Sequence, residues 1–137
     1  MAEGLLRHDA GGRFEVESAG THPRQVRPEA IAVMREIGIN ISNYRSKSVE
    51  EFAGQQFDYV LTVCDNVKES CPVFSGHTKR IHHSFSDPAG VQGSEEERLA
   101  AFRQIRDEIR LYLHTFQSRG QATQPPNSSR LSCKSCR

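Results

Sequence analysis

The stretch FDYVLTVCDNVKESCP, from Phe57 to Pro72, decides how the rest of this chain is read. Its first seven residues, 57–63, are an apolar, β-branched run and predict a buried strand. The run ends in Cys64. DNVKES then predicts a short helix or loop that Pro72 ends. One thiol therefore sits at the carboxyl end of a strand, where open α/β sheets place their chemistry. Cys71 follows seven residues later, a rise of ~10.5 Å on an intact helix. A disulfide needs Cα atoms roughly 4.4–6.8 Å apart. If the two cysteines pair, the segment between them unwinds, and the pair is a redox-driven conformational switch. The alternative is two buried small apolar residues, since free cysteine is among the most buried residue types. Spacing alone does not choose between them.

Working outward, elements alternate. Residues 1–8 read as a helix, and residues 14–18 alternate apolar and polar as a strand does. Pro28 opens a second helix at the first-turn position that tolerates proline. Ile31 and Met34 give that helix an apolar stripe, and Gly38 stops it. Residues 49–52 add a short helical turn. Residues 80–85 are a weaker strand, followed by a loop over 86–93. Ser94 with Glu97 forms a capping box, and Leu99, Phe102, Ile105, Ile109, Leu113 and Phe116 recur at helical spacing up to Gly120. From Ser118 the composition turns to Ser, Gln, Pro and Arg, so residues 118–137 are expected to be a disordered tail behind a domain at 1–117. Alternating strands and helices predict an α/β domain with a mostly parallel sheet.

The 137 residues suffice for one domain. Charge is balanced, 18 Lys and Arg against 17 Asp and Glu, which argues against nucleic-acid or membrane-surface partners. No apolar run approaches the ~20 residues of a transmembrane helix. The first ten residues do not form a signal peptide, because their apolar stretch is short and carries Glu3. A cytoplasmic chain is expected, with Cys64, Cys71, Cys133 and Cys136 mostly reduced.

MAEGLLRH, VESAGTHP, AVMREIGINISNYRSKSVEEF, FDYVLTVCDNVKESCP and SDPAG occur in that order. Together, over residues 1–117, they resemble the thioredoxin-coupled arsenate reductases built on the low-molecular-weight protein tyrosine phosphatase fold. The resemblance implies a three-layer α/β fold and a three-cysteine relay. A first cysteine attacks arsenate, a second releases arsenite and leaves a disulfide, and a third takes that disulfide over for reduction by thioredoxin. By position Cys64 matches the second cysteine, Cys71 the third, and Asp87 the general acid. A helix N-terminus after Cys64 would lower its thiol pKa, while the neighbouring Asp65 works the other way. Without the resemblance, Ser-Asp-Pro-Ala-Gly is simply a turn. Phosphatases of this fold carry aromatics after the Asp-Pro; Ala89-Gly90 here points to a small oxyanion. Ser18 and Glu3 match positions that help hold potassium in some members. Lys47 stands where an acid completes that site, so no metal and no bound cofactor are expected.

The family's signature opens with a strand and a Cys-x-x-Asn-x-x-Arg-Ser loop before Met-Ala-Glu-Gly. This sequence starts at that Met-Ala-Glu-Gly. The nucleophilic cysteine and the amide cradle for the anion are thus expected to be missing, and the chain alone to be inactive. The family's first strand lies between its second and third. Its absence would leave strands 14–18 and 57–63 with unpaired inner edges. The Ser-Cys-Arg at 135–137 echoes the missing loop, and Cys133-x-x-Cys136 has redox or zinc spacing. No strand signal precedes it and the Asn is missing, so chance or metal contact is the simpler reading. His77, His82 and His83 with the cysteines match no standard zinc spacing. Two further functional readings stay open: a non-catalytic redox-responsive binding module, and a remnant of a low-molecular-weight tyrosine phosphatase.

Overall fold

The computed structural model describes residues 1–20, 25–45, 47–52, 54–63, 78–120 and 129–134, the last six by their backbone. The elements are α1 (Ala2–Ala10), β1 (Phe14–Ala19), α2 (Pro28–Arg35), β2 (Tyr59–Thr62), β3 (Lys79–His82), α3 (Glu95–Gly120) and β4 (Ser129–Lys134). Short 3-10 turns lie at Gly11–Arg13, Val49–Phe52 and Pro88–Gly90. The alternation expected from the sequence is present, and every strand pairing is parallel.

Period-two patterning sorts the sheet into two faces. Val16, Tyr59 and Leu61 share one face and join a core with Leu5 and Leu6 of α1, Val33 and Met34 of α2, and Phe102, Ile105, Ile109, Leu113 and Phe116 of α3. The helical-spacing residues of α3 are thus the ones that bury. On the opposite face Ala19 and Val60 pack with Val49, Phe52 and Phe57. All four residues of β2 are buried, as a strand covered on both faces must be.

Backbone chemistry explains the element boundaries. Pro28 occupies the first turn of α2, and Gly38, at φ +80°, ends the segment in a conformation that suits glycine. Ser94 and Glu97 cap α3 reciprocally: the Ser94 amide donates to Glu97 Oε2 at 2.9 Å, and the Glu97 amide to Ser94 Oγ at 3.2 Å. Gly4 lets α1 lie close to the segment after α2, since a Cβ there would stand 2.8 Å from Ile41 Cγ2. Charge then ties the helices together. Arg110 makes a two-pronged pair with Asp9, both contacts at 2.9 Å. The nearly buried Arg106 donates to the Val33 carbonyl at 2.8 Å and to Glu36 at 3.1 Å.

The helix ends at Gly120, as its sequence predicts, and Ser129–Lys134 forms a strand within the stretch read as a tail. The sheet order is β1-β4-β2-β3. β4 therefore pairs with the inner edges of both β1 and β2, which the sequence left unpaired. Its register sets Leu131 between Val16 and Tyr59, and Cys133 between Ser18 and Leu61. The physical reason is that two open parallel ladders offer backbone hydrogen bonds to any extended segment that reaches them. Pairing, rather than β-propensity, makes this strand.

Candidate active site

Four parallel strands end on one edge of the sheet, at Ala19, Lys134, Thr62 and His82. The amino end of α1 comes to the same edge. Ser18 Oγ donates to Glu3 Oε2, and Arg7 Nη2 reaches Glu3 Oε1 at 2.9 Å. Arg7 also donates to the Val16 carbonyl, at 2.6 Å from Nη2. Glu3 is only 7% exposed, and these two donors satisfy it. Lys47 Nζ pairs with Glu17, the neighbour of Ser18. Among the described residues no group of His, Cys, Asp and Glu could hold a metal ion.

β2 delivers the chain to this edge. The residue after it, Val63, is buried and accepts a hydrogen bond from the Phe85 amide at 3.1 Å. Cys64 is the next residue in the sequence. Cys64 itself, Cys71, His77 and Cys136 lie outside the described residues. So does the segment 65–70 read as a helix or loop.

The Asp87 loop leaves from the same edge. The His83 amide donates to the Thr62 carbonyl at 2.9 Å and continues the β2–β3 ladder. The His83 ring stacks on Tyr112 of α3, centroids 4.0 Å apart, and Phe85 meets Tyr112 edge-on. Burial raises the Tyr112 phenol above its ordinary value, against the opposing charge of Arg119. Together these rings anchor the stem of the loop to α3. Asp87 is exposed, and its Oδ1 accepts from the Ala89 amide at 2.9 Å, capping the turn Pro88–Gly90. In this arrangement the carboxylate organises its own loop through Oδ1.

The structure brings the approach to Cys64, the Asp87 loop and the Glu3–Ser18 pair to one sheet edge. It adds two features that sequence reading missed. Thr62 Oγ1 lies 2.7 Å from His82 Nδ1, at the carboxyl ends of β2 and β3. The period-two pattern placing Thr62 and His82 on one face was the available signal. The second is the register position of Cys133, opposite Ser18 and Leu61 at the same edge. No local pattern signalled it, because the position is set by pairing with strands far away along the chain.

Known proteins resemble this chain in sequence and in fold. The family model for low molecular weight phosphotyrosine protein phosphatase matches residues 1–124. An arsenate reductase of Bacillus subtilis is 39% identical over 121 residues, covering 88% of this chain and 87% of that protein. One of Halalkalibacterium halodurans is 38% identical over the same shares. Among solved structures, an arsenate reductase in the reduced state matches with a TM-score of 0.69 at 27% identity, covering 86% of each chain. One in the oxidized state matches with a TM-score of 0.67 at 28% identity, again over 86% of each. Among the described residues no helix is long and apolar enough to cross a membrane. The chain belongs to the low molecular weight phosphotyrosine protein phosphatase family, and the two relatives compared above are arsenate reductases.

Proposed function

We propose that this domain serves thiol–disulfide chemistry that reduces arsenate to arsenite, with Cys64 and Cys71 as the last two thiols of a cysteine relay. The observation that carries the reading is the position of Val63. The fully buried strand β2 ends at Thr62, and Val63, the residue before Cys64, follows it on the edge where the Asp87 loop and the start of α1 also lie. The arsenate reductase relatives supply the substrate class.

The steps balance as follows. A first thiolate displaces hydroxide from arsenate and forms a sulfur–arsenic bond; Asp87 gives a proton to the leaving oxygen. Cys64 thiolate attacks that sulfur, the two electrons of the broken bond stay on arsenic, and arsenite leaves. Cys71 thiolate then attacks the resulting disulfide, frees the first thiolate, and leaves a Cys64–Cys71 disulfide. Thioredoxin, a cytoplasmic dithiol, supplies the two electrons that reset the pair. The first thiolate belongs to a Cys-x-x-Asn-x-x-Arg-Ser loop that these 137 residues do not contain. The polypeptide as written therefore does not turn over arsenate or aryl phosphates, because covalent catalysis without the nucleophile has no intermediate.

A second reading has its own support. β4 closes the sheet without that loop, which suits a module that keeps a redox-responsive pair and binds without catalysis. Oxidation followed by peptide mapping separates the readings from a structural role for the cysteines. Mild oxidant should join Cys64 to Cys71, and thioredoxin should reduce the bond. Recovery of only Cys133–Cys136, with both upstream thiols free, refutes the relay. Arsenate-dependent consumption of reductant by the repurified 137-residue chain, coupled to thioredoxin and its reductase, refutes its inactivity. Supplying the strand and loop in frame should restore turnover, which Cys64→Ser and Cys71→Ser should each abolish.

A further inference from the structure

The stem of the Asp87 loop is held by three rings that meet one another in pairs. His83 and Phe85 lie with centroids 4.6 Å apart, and both reach Tyr112 of α3. His83 stacks on it at 4.0 Å with the planes 20° apart, and Phe85 meets it edge-on at 5.8 Å. Such pairs add a preferred geometry to the burial of apolar surface. His83 is exposed, while Tyr112 and Phe85 are half-buried, so the imidazole is the outer layer over the phenol. Burial holds the Tyr112 phenol above its ordinary value. On the other side the stem is tied by backbone: the His83 and Phe85 amides donate to the Thr62 and Val63 carbonyls at 2.9 and 3.1 Å.

Tyr112 stands on a well-tied part of α3. Two residues before it, Arg110 grips Asp9 of α1 with two contacts at 2.9 Å. One residue after it, Leu113 is buried in the main core. The grip on α1 and the grip on the loop stem are therefore separated by a rise of only ~3 Å along one helix. The start of α1 lies at the other side of the candidate site, where Glu3 takes the Ser18 hydroxyl. α3 thus refers both sides of the site to a single rigid element. The far end of the loop has its own anchor: Ala89 packs against the main core, and the turn Pro88–Gly90 lies against α3. Asp87 sits between the two anchors, two residues past Phe85 and two before Ala89, and the Ala89 amide holds its Oδ1 at 2.9 Å.

We propose that Tyr112 is a positioning residue for Asp87: by holding His83 and Phe85 on α3 it fixes where the Asp87 carboxylate stands relative to the start of α1, before any oxyanion arrives. The inference rests on the proton-donor role proposed above for Asp87 and concerns what sets its geometry. Tyr112 itself touches no reacting atom. The Asp87 loop is then a fixed arm and not a closing lid. The requirement is strict, because a general acid must come within about 2.6–3.2 Å of the oxygen it protonates, and a misplacement of about 1 Å can cost roughly a hundredfold in rate. What matters is the ring face, and neither the Tyr112 hydroxyl nor the imidazole nitrogens are needed. Tyr112→Phe and His83→Phe keep all three rings. Tyr112→Leu keeps apolar bulk and removes the surface on which the other two rings are set.

Amide exchange and residual dipolar couplings on the 137-residue chain test the clamp. In the parent, the couplings of residues 83–90 should fit the same alignment frame as α1 and α3. In Tyr112→Leu the Phe85 and Ala89 amides should exchange roughly ten times faster. The couplings of 84–90 should then leave that frame, while residues 14–19 and 59–62 behave as in the parent. Tyr112→Phe and His83→Phe should match the parent. A tyrosine that only adds stability would instead speed exchange in every element together, and that result overturns the proposal. So does a loop that Tyr112→Leu leaves unchanged, or a Tyr112→Phe chain as loose as Tyr112→Leu. Turnover in the chain supplied with the strand and the Cys-x-x-Asn-x-x-Arg-Ser loop tests whether the clamp serves Asp87. There Tyr112→Leu should lower kcat roughly tenfold or more, with KM for arsenate within about twofold. In an Asp87→Asn background it should cost nothing further. Asp87→Asn with parental kcat refutes the proton-donor reading, whatever the exchange shows. A Tyr112→Leu loss that multiplies with that of Asp87→Asn overturns the positioning role alone.

Discussion

β2 and β4 are neighbours in one parallel sheet, and they hold their places by different means. β2 is Tyr59–Thr62, buried at every residue and packed on both faces. β4 has the same kind of ladder on both sides but a sequence that alternates small, charged and apolar residues. The contrast separates two contributions that usually come together. A strand can be specified by its side chains, which choose the core, or by vacant backbone partners, which accept whatever extended segment arrives.

The sharpest way to break the comparison is to damage each strand in its own terms. Leu61 is fully buried in the main core, so Leu61→Ala should cost about 2–5 kcal/mol of unfolding free energy. Ser132→Pro removes an amide from the centre of β4. If β4 is held by backbone alone, the loss is capped at what that strand contributes, and the variant should stay folded with a urea midpoint above that of Leu61→Ala. Global unfolding of Ser132→Pro would make the two strands equivalent.

Gly4→Ala comes next. The added methyl would stand 2.8 Å from Ile41 Cγ2 and 3.2 Å from Met34 Cε, so overpacking should cost about 1–3 kcal/mol. Because α1 covers the core side of the sheet, exchange protection should fall in β1 and β2 together. Loss confined to one strand would mean that α1 does not support them jointly.

The Asp9–Arg110 pair tests the same support through pH. Burial raises the Asp9 pKa, but hydrogen bonds from Arg110 and His8 and the charges of Arg110 and His114 outweigh it, and the net shift is downward. A folded pKa below the unfolded one adds stability at neutral pH that is lost as pH falls through the folded value. Glu36, whose pKa is lowered first by its hydrogen bond from Arg103, acts in the same sense. Stability should therefore decline below about pH 4, the ordinary carboxylate range. Asp9→Asn should cost about 1–2 kcal/mol at pH 7 and flatten that decline. An unchanged acid limb in urea titrations would remove Asp9 from the account.

The smallest effect belongs to the cap of α3. Ser94→Ala removes the acceptor for the Glu97 amide and should lower stability by about 1 kcal/mol. Thermal unfolding would register it, and the β2–β4 contrast should be untouched.

Most of the fold was legible because its signals are local. Pro28, Gly38, the Ser94–Glu97 box and the apolar stripe of α3 each act within a few residues, and each stands where the sequence placed it. The turn at Val49–Phe52 matches its expected bounds. The strand expected over 57–63 is shorter, at Tyr59–Thr62, because only those residues find ladder partners on both sides. The candidate site was legible in part. Asp87 could be picked out as a candidate, and its capping of its own turn depends on the Ala89 amide. The meeting of Thr62 with His82 needs two strands in register.

By itself, the sequence determined the alternation of elements, the side chains that form the core, and the presence of Cys64 just beyond a buried strand. Those follow from periodicity, capping and burial, which are properties of neighbouring residues. Only the tertiary structure decided where Ser129–Lys134 goes. No local preference in Ser-Arg-Leu-Ser-Cys-Lys names a strand, and its place comes from two unsatisfied ladders more than sixty residues away along the chain. Pairing partners so distant in sequence are set by the fold as a whole, and composition carries no trace of them.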